Sequence, residues 1–412
     1  MLRKLLAIAL CALMMLSCCG VAVAEEEIEL TLHFWFDGTD LEDWQAIVDE
    51  FEAANPGVTV TLQSTPWNDY WTKLQTQMTS NSIADVYGMV SMYSADYIKN
   101  GAAYNLSELA ANDPDFIGFD TYYDAIMGAY QDEEGSYYYL PYDMSTNLLA
   151  VNKTLMEENG IEYKPEGYTK EEILEMGAAL KKKGIYVLCG MDKKDWGYYD
   201  ILTCAGCEIL DENGLLKVDT PEIAEVTQFY VDLMMEGYSP IGGGTTDYFA
   251  SGMALMTNVN PENLAMQVKS LPDYEIDVIA TYPTDVEDGK VIAEGGAFGI
   301  APYCQHLEMA FKLISHLTGP DASIRKVAST FRGVPTVNDP AATEAFLISE
   351  NGCEHAQFFL DLLAEGTRPD YPNRTAVETE MATWLSLAYS GDMTVEEALA
   401  EFQTVADELM AE

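Results

Sequence analysis

The chain has 412 residues with 68 acidic and 21 basic side chains, a formal net charge of −47 at pH 7. A field of that sign repels polyanions, which excludes nucleic acid and anionic membrane surfaces as partners. Hydrophobic residues at 48% and aromatics at 11% give enough apolar surface to outweigh the entropy of ordering, so the chain folds, and at about 150 residues per domain its length predicts two or three domains.

Residues 1–24 are a different kind of sequence. Arg3 and Lys4 precede an apolar run from Leu5 to Leu16, and no acid appears before Glu25, the layout of an export signal. The run falls well short of the ~20 residues a membrane-spanning helix needs, and no later segment is long and apolar enough. Ala22-Val23-Ala24 offers an ordinary secretory cut, whereas Leu16-Ser17-Cys18-Cys19-Gly20 resembles a bacterial lipobox cut at 17/18 or 18/19, with Cys18 or Cys19 lipidated. The lipid anchor is the preferred reading, and stable anchoring takes more than one acyl chain. Cys189, Cys204, Cys207, Cys304 and Cys353 follow the signal; the number is odd, so at least one is unpaired. Cys204 and Cys207 have C-x-x-C spacing without a second pair or nearby histidine to complete a zinc site, which leaves buried thiols or one local disulfide.

Strand and helix signals then alternate. Ile28 to Phe36 reads as a strand; Leu41, Trp44, Ile47, Val48 and Phe51 recur at helical spacing until Asn55-Pro56-Gly57, where a helix stops. Val58, Val60 and Leu62 alternate as a second strand. Pro66-Trp67-Asn68-Asp69 reads as a loop, Tyr70, Trp71, Leu74 and Met78 as a helical stripe, and Asp85 to Val90 as a buried strand. Thr169-x-x-Glu172 and Thr394-x-x-Glu397 are capping boxes, and Thr220-Pro221 opens a helix that Gly237 ends. Asn213-Gly214 and Asp288-Gly289 read as tight hairpin turns. Repeated β-α-β units predict an α/β fold of mostly parallel sheets covered by helices on both faces. No flexible tether separates the expected domains, so they share several crossings.

The catalytic search is empty. There is no G-x-S-x-G, H-E-x-x-H, Walker A or dinucleotide fingerprint, and His33, His306, His316 and His355 show no ligand spacing. Among so many acids, carboxylate pairs carry no information about glycosidase chemistry. No enzyme, cofactor or metal is expected.

Several ordered segments resemble one family. Leu30-Thr31-Leu32-His33-Phe34-Trp35, the run Ile47 to Val60, Ala84-Asp85-Val86, Leu140-Pro141-Tyr142-Asp143 with Val151-Asn152-Lys153, Phe249 to Met256, Gly295 to Ile300 and Gly333-Val334-Pro335 together are similar to extracellular solute-binding proteins of ABC importers, specifically the sugar and oligosaccharide class (maltose-binding-protein-like, family 1). The resemblance implies a two-lobed periplasmic-binding-protein-like fold with three hinge strands. Lobe 1 would be 25–142 plus 283–334 and lobe 2 would be 143–282 plus 335–412. Ligand would lie in the cleft between them, and the protein would act as a monomer outside the cell, delivering solute to an ABC-type membrane permease.

A pyranose has a face of C–H groups and a rim of hydroxyls, so its site needs flat apolar platforms ringed by polar groups. Trp35 at the end of the first strand and Asp37 just past it, Trp67, Tyr70 and Trp71 after the second, and Tyr93 after the third lie at C-terminal strand ends, where open α/β sheets place ligands. Between Tyr70 and Trp71, which share a helical stripe, one is expected in the core. The resemblance adds Trp196 as a stacking residue, Asp143 and Asn258 as hydroxyl partners, Glu294, Gly296 and Ala297 lining the cleft, and Arg332 as a fork. Asp143 reads equally well as a hinge cap. Competing functions are a secreted glycan-active enzyme, a receptor for a polyol or phosphodiester, and a surface interaction module.

Overall fold

A computed structural model describes residues 27–35, 39–191, 196–241, 246–286, 289–330, 333–348, 353–364, 366–367 and 369–411. The strands are β1 (Ile28–Phe34), β2 (Val58–Ser64), β3 (Val86–Val90), β4 (Tyr139–Pro141), β5 (Leu148–Asn152), β6 (Tyr186–Cys189), β7 (Ala254–Val259), β8 (Ile276–Ile279) and β9 (Gly296–Ile300). They form a sheet of order β2-β1-β3-β9-β4 and another of order β6-β7-β5-β8. Every residue of β3, β5, β7, β8 and β9 is buried, which is why these strands read as continuous apolar runs: helices cover both faces. At the edge, β2 alternates buried Val58 and Val60 with exposed Thr59 and Thr61.

In the first sheet β1 pairs in parallel with β2 and β3, while β9 runs antiparallel to both β3 and β4. In the second, β6 and β7 are parallel and β5 opposes both β7 and β8. Among the described strands three pairings are parallel and four antiparallel, so the sheets are mixed where mostly parallel ones were expected: one strand inside each sheet is reversed. The cause is topological. β4 leads straight into β5 across the gap between lobes, and β8 leads back into β9. A strand that ends at the facing edge is followed by one that starts there and runs away from it.

The passages lie side by side. Met144 and Val334 exchange both backbone hydrogen bonds (2.9 and 2.8 Å), as do Ser145 and Glu294 (2.7 and 2.9 Å). The chain, expected to enter the second lobe at 335, is still bound to the first at Asn338, whose N–H donates to Thr121 carbonyl at 2.8 Å. It meets the second lobe at Cys353 and His355, which bond Asp277 in β8.

Local signals explain several helix starts. Thr169 and Thr394 accept from the backbone N–H of Glu172 and Glu397, whose side chains return the bond, and Thr220 caps the helix Pro221–Met235. Asn213-Gly214 turns between Leu210 and Leu216, which bridge antiparallel, with Gly214 at φ +76. Asp288 lies outside the described residues. Trp67, expected in a loop, is the first residue of the helix Trp67–Thr79; Pro66 precedes it and supplies no side-chain cap.

Candidate functional site

The passages leave the first sheet at the edge where Val90 pairs with Gly296 and Pro141 with Ala297. β1, β2 and β3 all end toward that edge, so residues following them face the other lobe. Trp35 follows β1, the helix carrying Trp67, Tyr70 and Trp71 follows β2, and the helix Ser91–Lys99 with Tyr93 follows β3. Their rings form one cluster. Trp35 lies 5.0 Å from Trp67, 5.2 Å from Tyr70 and 5.3 Å from Trp71 between centroids, and Trp71 lies 4.6 Å from Tyr93. Trp67 is 36% exposed and Trp35 only 7%. A Cβ at Gly88 would fall 2.6 Å from Phe34 Cβ and 3.0 Å from Trp35 Cζ3, so a glycine in β3 is what lets the Trp35 indole lie against the sheet.

Tyr70, expected as a possible ligand contact, is wholly buried behind this wall. Its hydroxyl donates to Gly88 carbonyl at 2.7 Å, and burial pushes its pKa well up. It supports the platform and has no surface to offer. Trp71 is the partly exposed member of that pair.

In the second lobe Asn258 in β7 is buried, and its amide donates to the Tyr282 hydroxyl at 2.5 Å. The helix Trp196–Cys204 starts beside it: a Cβ on Gly197 would be 3.2 Å from Asn258 Nδ2. Asp37, Arg332, Cys18, Cys19 and the side chain of Trp196 lie outside the described residues.

Asp143, Glu294, Gly296 and Ala297, expected at the cleft, lie where the passages cross between the lobes. Asp143 accepts from Gly296 N–H and lies 3.3 Å from Lys326 Nζ; Lys326 is itself buried and 4.0 Å from the Tyr142 ring centroid. Burial lowers the Lys326 pKa and Asp143 partly restores it. A Cβ on Gly296 would be 2.4 Å from Tyr142 Cζ, so the space its missing side chain leaves is filled by protein, not available to solute. Ala297 is fully buried in β9. Glu294 accepts from the Ser91 hydroxyl and forms a 2.8 Å ion pair with Arg374 Nη2 that lacks a well-aligned N–H.

Arg374 and Asp200 were missed by sequence reasoning. Arg374 also bonds Glu378 (2.7 Å) and Pro369 carbonyl (3.0 Å). Asp200 accepts from Asn147 on the first passage and Ile292 N–H on the second, both at 2.9 Å. Burial pushes its carboxyl up to about 8 against those two hydrogen bonds. Its signal was available: Asp200 is the one charge in the run Trp196 to Cys204.

Asp277, Glu354 and His355 could in principle ligate a metal ion, their donor atoms lying within 4.8 Å of one another. Lys153 already supplies the cation there, with Nζ 3.2 Å from Glu354 and 3.7 Å from Asp277. Asp277 also accepts from Tyr163, Cys353 and the backbone of His355. This cluster fastens the returning chain to β8. Among the described residues no disulfide joins any of Cys189, Cys204, Cys207, Cys304 and Cys353.

The sequence profile described as bacterial extracellular solute-binding protein matches residues 46–352. The chain belongs to that family. The solute-binding protein is 26% identical over 197 residues to a putative binding protein of Brucella abortus (47% of this chain, 46% of the relative). It is 26% identical over 210 residues to the diacetylchitobiose binding protein DasA of Streptomyces coelicolor (48% and 46%). It thus spans about half the length of the curated relatives it matches. Its fold is that of Lmo0181 from Listeria monocytogenes, solved in complex with cycloalternan (TM-score 0.84, 19% identity, 94% of this chain and 100% of that one). The GacH receptor of Streptomyces glaucescens, solved with acarbose, superposes with TM-score 0.80 at 18% identity over 94% and 100% of the chains. These relatives are binding proteins, and among the described residues no helix is long and apolar enough to cross a membrane.

Proposed function

We propose that this chain captures a carbohydrate between its lobes outside the cell and delivers it to an ABC-type membrane permease. The observation that carries the proposal is the aromatic wall of Trp35, Trp67, Trp71 and Tyr93 at the facing ends of β1, β2 and β3. Flat π faces receive the C–H side of a sugar ring, and a neutral solute needs no fixed charge. This agrees with the pairing of the charged groups found at the hinge, Asp143 with Lys326 and Glu294 with Arg374. By the resemblance of their segments, Trp196, Asp37, Asn258 and Arg332 are further ligand contacts. Relatives named for arabinooligosaccharide and diacetylchitobiose binding support the solute class. The protein works as a monomer, held at the outer face of the membrane by lipid on Cys18 or Cys19.

Isothermal titration against mono- and oligosaccharides, with mannitol and glycerophosphodiesters as alternatives, tests the reading. A sugar is expected to bind, and Trp67→Ala to weaken it by about 1–3 kcal/mol with the fold intact. Binding confined to the polyol or phosphodiester would replace the carbohydrate assignment, and conversion of a bound glycan to product would make the protein an enzyme.

A further inference from the structure

The rings of the first lobe's wall do not share a plane. Trp67 meets Trp35 at 88° and Trp71 at 81°, and Trp71 meets Tyr93 at 78°. Trp67 is turned by nearly a right angle from both of its neighbours, Trp35 and Trp71, which are themselves inclined at 41° to each other, so beside the exposed Trp67 face the next ring shows its edge. Sugar stacking needs the face; an edge presents the positive rim of the ring quadrupole and gives no such contact. Two consecutive glycosyl units on one wall would need two adjacent faces of similar orientation.

No neighbour of Trp67 can turn to provide a second face. Trp35 is pinned over Gly88 with 7% of its surface outside. Trp71 is wedged between Trp67 and Tyr93 at 5.2 and 4.6 Å. Trp67 is the wall ring with more than a third of its surface free. Its backbone is fixed at a helix start, where Asp69 and Tyr70 N–H both donate to Pro66 carbonyl at 3.0 Å.

We infer that the first lobe stacks a single glycosyl ring, on Trp67, and that the solute is one or two units long rather than an extended chain. A second unit is held by polar groups or by the opposite lobe. This inference rests on the carbohydrate reading above.

Titration of the mature protein with gluco-, xylo-, arabino- and N-acetylchito-oligosaccharides of one to four units tests it. In the series that binds, affinity should change by less than about threefold between two and four units. Trp67→Ala should lower it by about tenfold at every length, Trp67→Phe by much less. Affinity climbing tenfold or more from two to four units, or a Trp67→Ala effect that grows with length, overturns the inference and leaves the carbohydrate reading standing. Silence in all four series overturns both.

Discussion

Arg374 and Glu294 form an ion pair in which both side chains are 4% exposed, with 2.8 Å between Nη2 and Oε1. It ties the helix Arg374–Ser390 to the second passage between lobes, and Ser91, bonded to the other carboxylate oxygen, extends the tie into the first lobe. Removing one partner of a buried pair strands the other charge. Arg374→Ala leaves Glu294 and Glu378 buried together and should cost about 3–5 kcal/mol. Glu294→Gln should cost less, because Glu378 still pairs with the arginine. Urea titrations give both values; equal losses would mean Glu378 does not share the charge.

Asp200 makes stability depend on pH in a defined direction. Its folded pKa of about 8 lies above the ordinary 3.8, so between those values the folded state keeps a proton the unfolded chain releases. Stability contributed by this group is therefore fully present below about pH 4 and is lost as pH rises through about 8. Asp200→Asn has no such slope, although it gives up one acceptor to Asn147 or Ile292. The stability of the native protein minus that of the variant should shrink from pH 5 to pH 9. A difference that grows with pH would contradict the assignment.

The hinge glycine should tolerate no side chain. A methyl at Gly296 would overlap the Tyr142 ring and approach Asp143 Oδ1 at 2.9 Å. Gly296→Ala should destabilise by about 1–3 kcal/mol, as overpacking does. Gly128→Ala, with nothing within 4 Å of the added carbon, is the control and should melt like the native protein. A Gly296→Ala melting temperature unchanged from native would show that the Tyr142 ring moves aside freely.

The thiols should react slowly. Burial pushes Cys204 up to about 12 and Cys304 up to about 11, and raises Cys207 and Cys353 as well; since the thiolate is the reactive form, all are poor nucleophiles at neutral pH. Cys207 is half-buried, and Cys353 donates its S–H to Asp277. Disulfide-exchange labelling of native protein at pH 8 should therefore begin at Cys207, and Cys207→Ser should remove the first phase. Prompt labelling of three or more cysteines without denaturant would contradict this burial pattern.

What could be read from the sequence was whatever local chemistry fixes. Thr169 with Glu172 and Thr394 with Glu397 announce their helices because the cap is made by residues three apart. Trp67 was read as a loop because Pro66 caps without a side-chain oxygen, leaving no polar residue to mark the start. The aromatic cluster was legible from its positions after β1, β2 and β3; which ring stays exposed was not, since that depends on Gly88 in a neighbouring strand. Glu294, Gly296 and Ala297 were expected at the cleft, yet their environment is set by Asp143, Tyr142 and Arg374, residues distant in the chain. Arg374 sits inside the sequon Asn373-Arg374-Thr375, a pattern that says nothing of burial, so nothing local advertised a buried cation.

The interleaved strand order bears on how the protein is made. Among the described strands β4 bonds only to β9, so residues near 140 have no place in their sheet until residues near 300 have left the ribosome. Pairing across such a separation is slow, because the long loop must close before any contact rewards it. The first sheet is therefore complete only after residues near 300 have been made, although β1, β2 and β3 can pair long before.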